Sequence, residues 1–258
     1  MGLLTVPTDD SLTIRFWEVD LLRGLAVVMM VLFHLAFDLS YFGIYELDMH
    51  SWFWIFLARV TAFLFILLVG VSLTLSREKA ELQGRTEGLR RRLCKRGIWI
   101  FGLGMVVTAA TYSLVGQGFI VFGVLHLIGV SIPLAYPFLR LRLANFIPGL
   151  LFILLGWRLQ DLSAANPWLL WLGLAPEGFY SLDYLPLLPW FGVVLMGTAL
   201  GDLLYRGYKR RIDLPDLGGA LVVRPLAFLG RNSLLIYFLH QPALIALLYA
   251  GGARIAWG

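Results

Sequence analysis

The stretch Glu18-Val19-Asp20-Leu21-Leu22-Arg23-Gly24-Leu25-Ala26-Val27-Val28-Met29-Met30-Val31-Leu32-Phe33-His34-Leu35-Ala36-Phe37-Asp38-Leu39-Ser40-Tyr41-Phe42-Gly43-Ile44 decides the fold. It is longer than the roughly 20 residues an α-helix needs to cross a hydrocarbon layer. Asp20, Arg23, His34 and Asp38 are its only acidic, basic or histidine residues after Glu18. At about 100° per residue they share one stripe of an otherwise apolar helix. A cleavable signal peptide would not carry such a stripe, and no small-residue cleavage site follows.

The same pattern repeats along the chain. Of its 258 residues, 59% are hydrophobic and 14% charged, against about 25% charged in a soluble domain. A soluble enzyme, a disordered chain and a disulfide-stapled secreted module are unlike this composition. The sole cysteine, Cys94, forms no internal disulfide. The expected fold is all-α, a polytopic transmembrane bundle of about seven spans at 18–44, 52–76, 97–115, 118–139, 143–159, 185–204 and 226–249. A polar tail, 1–14, precedes a single transmembrane domain, 15–258. The segment 77–96 reads as a short amphipathic helix on the membrane face.

Arg and Lys predict the orientation. Sixteen of the 21 fall in the tail or in alternate loops: Arg15, eight between Arg77 and Arg96, Arg140, Arg142, Arg206, Lys209, Arg210, Arg211 and Arg224. Only Arg158 and Arg254 fall in the other set of loops. The positive-inside rule then puts the N-terminus in the cytoplasm and 160–184, with Trp168, Trp171, Tyr180 and Tyr184, on the outer side. The net charge of +5 fits basic loops on one membrane face better than nucleic-acid binding.

Ionisable residues inside spans are expensive and mark functional sites by default. Asp20 with Arg23 and His34 with Asp38 are spaced as intrahelical pairs. A carboxylate one turn from His34 would fix its tautomer and suit it to accept a proton. His126 and His240 lie at similar depth on two other spans, and with Ser233 suggest a polar cavity. Arg59, Arg231 and Asn232 complete the list, and His50 sits in the loop after the first span. No second close ligand pair accompanies His34 and Asp38, so no metal is expected. Phosphate-loop and nucleophile-elbow signatures are also missing.

Several stretches together resemble a known family. These are Arg15-Phe16-Trp17-Glu18-Val19-Asp20-Leu21-Leu22-Arg23-Gly24; Gly123-Val124-Leu125-His126-Leu127-Ile128-Gly129; Asp183-Tyr184-Leu185-Pro186-Leu187-Leu188-Pro189-Trp190; and Leu229-Gly230-Arg231-Asn232-Ser233 running to His240-Gln241-Pro242. They are similar to the heparan-α-glucosaminide N-acetyltransferase catalytic-domain family. The resemblance implies an integral membrane acyltransferase in the cytoplasmic membrane. It would move acetyl from acetyl-CoA to an amine or hydroxyl of an extracytoplasmic sugar or glycan. It also implies a catalytic histidine in the first far-side loop, and His50 before Ser51-Trp52 matches that place. The expected catalytic residues are therefore His50, His34 and Asp38. Asp20, Arg23, Arg231 and Asn232 would hold the CoA thioester, and His126, His240 and Ser233 would line the acceptor cavity. Membrane lipid and a second copy of the chain are the remaining expected partners. A proton-coupled transporter of a small polar solute and a non-catalytic membrane subunit are the alternatives.

Overall fold

Glycine, proline and polar clusters divide the apolar runs into helices, as a computed structural model describing residues 15–160, 162–164 and 166–252 shows. The elements are α1 (Trp17–Tyr41), α2 (Trp52–Leu82), α3 (Leu89–Val115), α4 (Val124–Ala135), α5 (Phe146–Gln160), α6 (Leu187–Leu204), α7 (Val223–Arg231) and α8 (Ser233–Ala250). Short 3-10 turns, Phe138–Asn145 and Pro167–Leu172, precede α5 and α6. A two-residue-per-strand hairpin, β1 (Tyr205–Arg206) with β2 (Lys209–Arg210), follows α6. Six helical segments are long and apolar enough to cross a membrane, and α4 is a shorter apolar helix. The chain is an integral membrane protein of about seven spans, as its sequence predicts. The tail 1–14 lies outside the described residues.

Boundaries differ from the expected ones for local reasons. The fourth span was expected over 118–139, but helix covers only Val124–Ala135. Gly116 and Gly118 take positive φ values of 72° and 81°, conformations a helix cannot use. No separate amphipathic helix forms over 77–96. The apolar periods of α2 and α3 run on into the charged segment, leaving only a turn at 83–88. The seventh span is two helices, broken at Asn232, whose φ of −101° and ψ of 15° stop α7.

Helices in lipid gain little from apolar burial against each other, so close backbone approach carries their packing. The α2–α6 crossing shows this. A Cβ on Gly70 would lie 2.1 Å from the Val194 carbonyl oxygen, and one on Gly197 would lie 2.1 Å from that of Leu67. The α1–α7 crossing repeats it: a Cβ on Gly24 would lie 1.9 Å from the Leu226 carbonyl oxygen, and one on Gly230 would lie 1.8 Å from that of Asp20.

Two polar clusters close the end of the bundle where most Lys and Arg lie, here termed the basic end. Arg77 is buried and reaches Asp202 at 2.6 Å. It also donates to Glu78 and to the Leu139 carbonyl. Glu78 in turn accepts from the Gly207 amide at 2.7 Å. At the start of α1, Arg210 donates to both carboxylate oxygens of Glu18, at 2.7 and 2.8 Å. The Tyr205 hydroxyl joins at 3.0 Å. The hairpin is thus tied to α1, and α2 to α6.

Candidate active site

A cavity of about 570 Å³ runs between α1, α2, α3, α4 and the α7–α8 arm. At its basic end it is lined by Arg23, Arg96 and Arg231, with Ser72 and Ser233. Toward the other end it meets Arg59, His34, Asp183 and Tyr237. Apolar residues such as Met30, Phe65, Val69 and Ile128 fill the wall between. Arg23 and His34 are eleven residues apart on α1, about 16 Å along the axis.

Arg23 donates to Ser72 at 2.8 Å and contacts Asp20 at 3.3 Å. Arg96 and Arg231 have no carboxylate within ion-pair distance among the described residues. Three guanidiniums therefore share one cavity end with a single nearby carboxylate. That arrangement suits a polyanion such as the phosphates of a coenzyme.

The histidines sort by their hydrogen bonds. The His34 Nδ1 lies 2.9 Å from the Met30 carbonyl oxygen, and the His240 Nδ1 lies 2.6 Å from that of Tyr237. A carbonyl only accepts, so each Nδ1 carries the proton when the ring is neutral and each Nε2 keeps its lone pair. The two rings meet edge-on with centroids 4.7 Å apart. His240 Nε2 is buried with no hydrogen-bond partner among the described residues. His126 differs: its Nδ1 accepts from the Gly123 amide at 3.2 Å. Its Nε2 lies 3.3 Å from the Thr108 hydroxyl oxygen, whose own proton goes to the Ile120 carbonyl. Both nitrogens of His126 are used, and the ring is packed between Phe101 and Phe122.

Asp183, in the segment before α6, is the site residue that sequence reasoning passed over. Its Oδ2 accepts from the Val124 amide at 3.1 Å, at the start of α4, and from the Tyr237 hydroxyl at 3.5 Å. Burial pushes its carboxyl up to about 6. A Cβ on Gly123 would lie 2.3 Å from the same oxygen, so a bare backbone there lets the carboxylate approach. A loop aspartate normally reads as solvated. Only the arrangement of three distant segments makes this one a wall of the cavity.

Other expected site residues fall differently. Asp38 does not hold His34. Helical side chains lean toward the N-terminus, so His34 reaches back to Met30, and Asp38 accepts instead from Gln241 at 3.2 Å. Asp38 is buried off the cavity lining. His126 is not a lining residue; it caps α4. His240 lies behind His34, and Ser233 does line the cavity. Asn232 lies off the lining, with its amide turned to the Phe228 carbonyl at 2.9 Å. Asp20 reaches the cavity only through Arg23. His50 is exposed in the loop after α1, its amide bonded to Asp48 at 3.0 Å, and is not among the lining residues. No group of three metal-ligating side chains occurs among the described residues.

No curated protein and no solved structure matches the chain. The family model for heparan-alpha-glucosaminide N-acetyltransferase, catalytic, matches residues 15–242 and so covers the whole cavity. From Arg23 at its basic end to Tyr237 beside the histidine pair, every residue that shapes this site lies within the match, and the chain belongs to the heparan-α-glucosaminide N-acetyltransferase catalytic-domain family.

Proposed function

We propose that the protein transfers an acyl group, acetyl in the first instance, from cytoplasmic acyl-CoA to a hydroxyl or amine of a sugar or glycan outside. The observation that carries the reading is a single cavity with clustered guanidiniums at one end and a lone-pair imidazole at the other. With the basic end in the cytoplasm, Arg23, Arg96 and Arg231 hold the CoA phosphates. The pantetheine arm follows the apolar wall and brings the thioester to His34.

Chemistry then needs one base. The acceptor O–H or N–H gives its proton to His34 Nε2 as its oxygen or nitrogen attacks the thioester carbonyl. The tetrahedral adduct collapses with cleavage of the C–S bond, and the imidazolium returns the proton to the CoA thiolate. Ester or amide and free CoA are the products, and the histidine is restored. The Met30 carbonyl keeps Nδ1 protonated throughout, so Nε2 is the atom that cycles. His240, edge-on to His34, holds the ring in place. Asp183 and Tyr237 supply polar groups for the acceptor.

Thermal unfolding of the purified protein with acetyl-CoA tests the donor half. Ligand at a hundredfold its dissociation constant adds about 2.7 kcal/mol to stability. No stabilisation by acetyl-CoA or by CoA removes the reading.

A further inference from the structure

Arg59 is not used by the donor site or by the proton transfer, yet it is a cation well inside the apolar part of α2. It stands seven residues inside the helix, which begins at Trp52. His34 stands seven residues before the end of α1. Each is therefore about 10 Å from the same end of the bundle. Arg59 has no hydrogen bond or ion pair among the described residues. A cation inside a span without a partner is a marker of function.

The placement of Arg59 has two sides. It lines the cavity that holds His34, and it is exposed at the bundle surface. The neighbours one helical turn away on its exposed side are Ile55, Phe56 and Phe63, which are 39%, 49% and 45% exposed. These apolar side chains face the hydrocarbon. The guanidinium thus sits on the rim between a lipid-facing aromatic strip and the reactive cavity. A soluble anion would reach it from water and have no use for the strip. An amphiphile satisfies both: its anionic head pairs with the fork of Arg59, and its tail lies along Ile55, Phe56 and Phe63.

We infer that Arg59 is a binding site for a lipid phosphate, and that the acyl acceptor arrives as the headgroup of such a lipid, entering sideways from the membrane. The second half rests on the acyltransferase reading. The first half stands on Arg59 alone. With its phosphate at Arg59, a lipid-linked sugar extends its hydroxyls toward His34, at the same depth across the cavity.

Dodecyl phosphate in neutral maltoside micelles is the probe, and binding is read by thermal shift of the full chain. It is expected to stabilise the wild-type protein. Arg59→Ala should raise the half-saturating concentration by at least about tenfold, as for loss of a charge-assisted hydrogen bond. Arg59→Lys should retain part of the affinity. Arg158→Ala, on α5 away from the cavity, should leave it unchanged. Inorganic phosphate at equal concentration should not compete, and neither should neutral dodecyl glucoside. Wild-type affinity in Arg59→Ala overturns the site, as does an equal loss in Arg158→Ala. Equal competition by inorganic phosphate overturns the lipid as its source. Should Arg59→Ala not fold, Arg59→Gln takes its place, with retained acetyl-CoA binding as proof of folding. Acetyl-CoA binding is measured on the same wild-type sample. Its failure removes the acyltransferase reading and leaves the phosphate result to stand or fall by itself.

Discussion

Three histidines lie within helices of this protein, and their ring nitrogens divide them. His34 and His240 each spend Nδ1 on a carbonyl of their own helix. His126 spends both nitrogens on structure. The expected outcome follows for each. His34→Ala should lower acyl transfer by about 10²–10⁴-fold, the usual contribution of a general base, while acetyl-CoA still binds. His50→Ala should keep near wild-type turnover in the same assay; the opposite result would return the base to the loop histidine that the family resemblance points to. At the donor end, Arg23→Ala, Arg96→Ala and Arg231→Ala should each weaken acetyl-CoA binding by roughly 1.5–3 kcal/mol. The effect should shrink as salt rises, because screening already weakens the contact in the wild type. Unchanged affinity in all three would clear the basic end of any part in binding. Helical spacing made Arg23, His34 and Arg231 visible in the sequence as polar residues in apolar runs. It could not show that His34 turns to residue 30 instead of residue 38. Nor could it show that Arg96, one of a run of basic residues, faces a cavity while its neighbours face water.

Helix pairs carry their own consequences. Gly197 approaches the backbone of α2 so closely that any side chain there forces α6 away. Gly197→Val should therefore destabilise the fold by more than the roughly 1–3 kcal/mol typical of an overpacked core, read as a fall in the unfolding temperature. A temperature within a degree of wild type would contradict the crossing. The Arg77 cluster makes a second test. Removing one partner of a buried ion pair costs about 3–5 kcal/mol, so Asp202→Ala should destabilise the basic end by an amount near the lower figure, since Glu78 remains. Apolar runs and their breakers announced the helices themselves. The end of α2 was hidden because Arg77, Glu78, Lys79 and Glu81 read as part of a separate amphipathic segment outside the span. The carboxylate that lets Arg77 stay buried comes from Asp202, 125 residues later.

For the whole molecule, orientation is the governing prediction. In a Cys94→Ser background, single cysteines at Glu46 and Tyr180 should react with an impermeant maleimide from outside intact cells. Cysteines at Arg85 and Asp213 should react only after the membrane is opened. Labelling at Glu46 only from the cytoplasmic side would reverse the bundle and place the guanidinium cluster away from cytosolic CoA. The number of spans and the basic loops were legible from composition, since hydrocarbon excludes charge along each span. A polar cavity was expected from the histidines inside spans, but its walls were not legible, because they form where several elements fail to fill the space between them. A one-dimensional pattern of apolar residues does not say which helix faces leave a gap.

Backbone-to-backbone crossings leave the outward faces of these helices with little to specify. Ile147, Leu151, Leu154 and Trp157 on α5 are exposed, and acyl chains around a spanning helix accept any apolar shape. Exchanging Ile147, Leu151 or Leu154 for another aliphatic residue should change stability by less than about 0.5 kcal/mol. On such a face the sequence is free to vary within apolar limits, whereas at Gly24, Gly70, Gly197 and Gly230 the facing backbone leaves no room for any side chain.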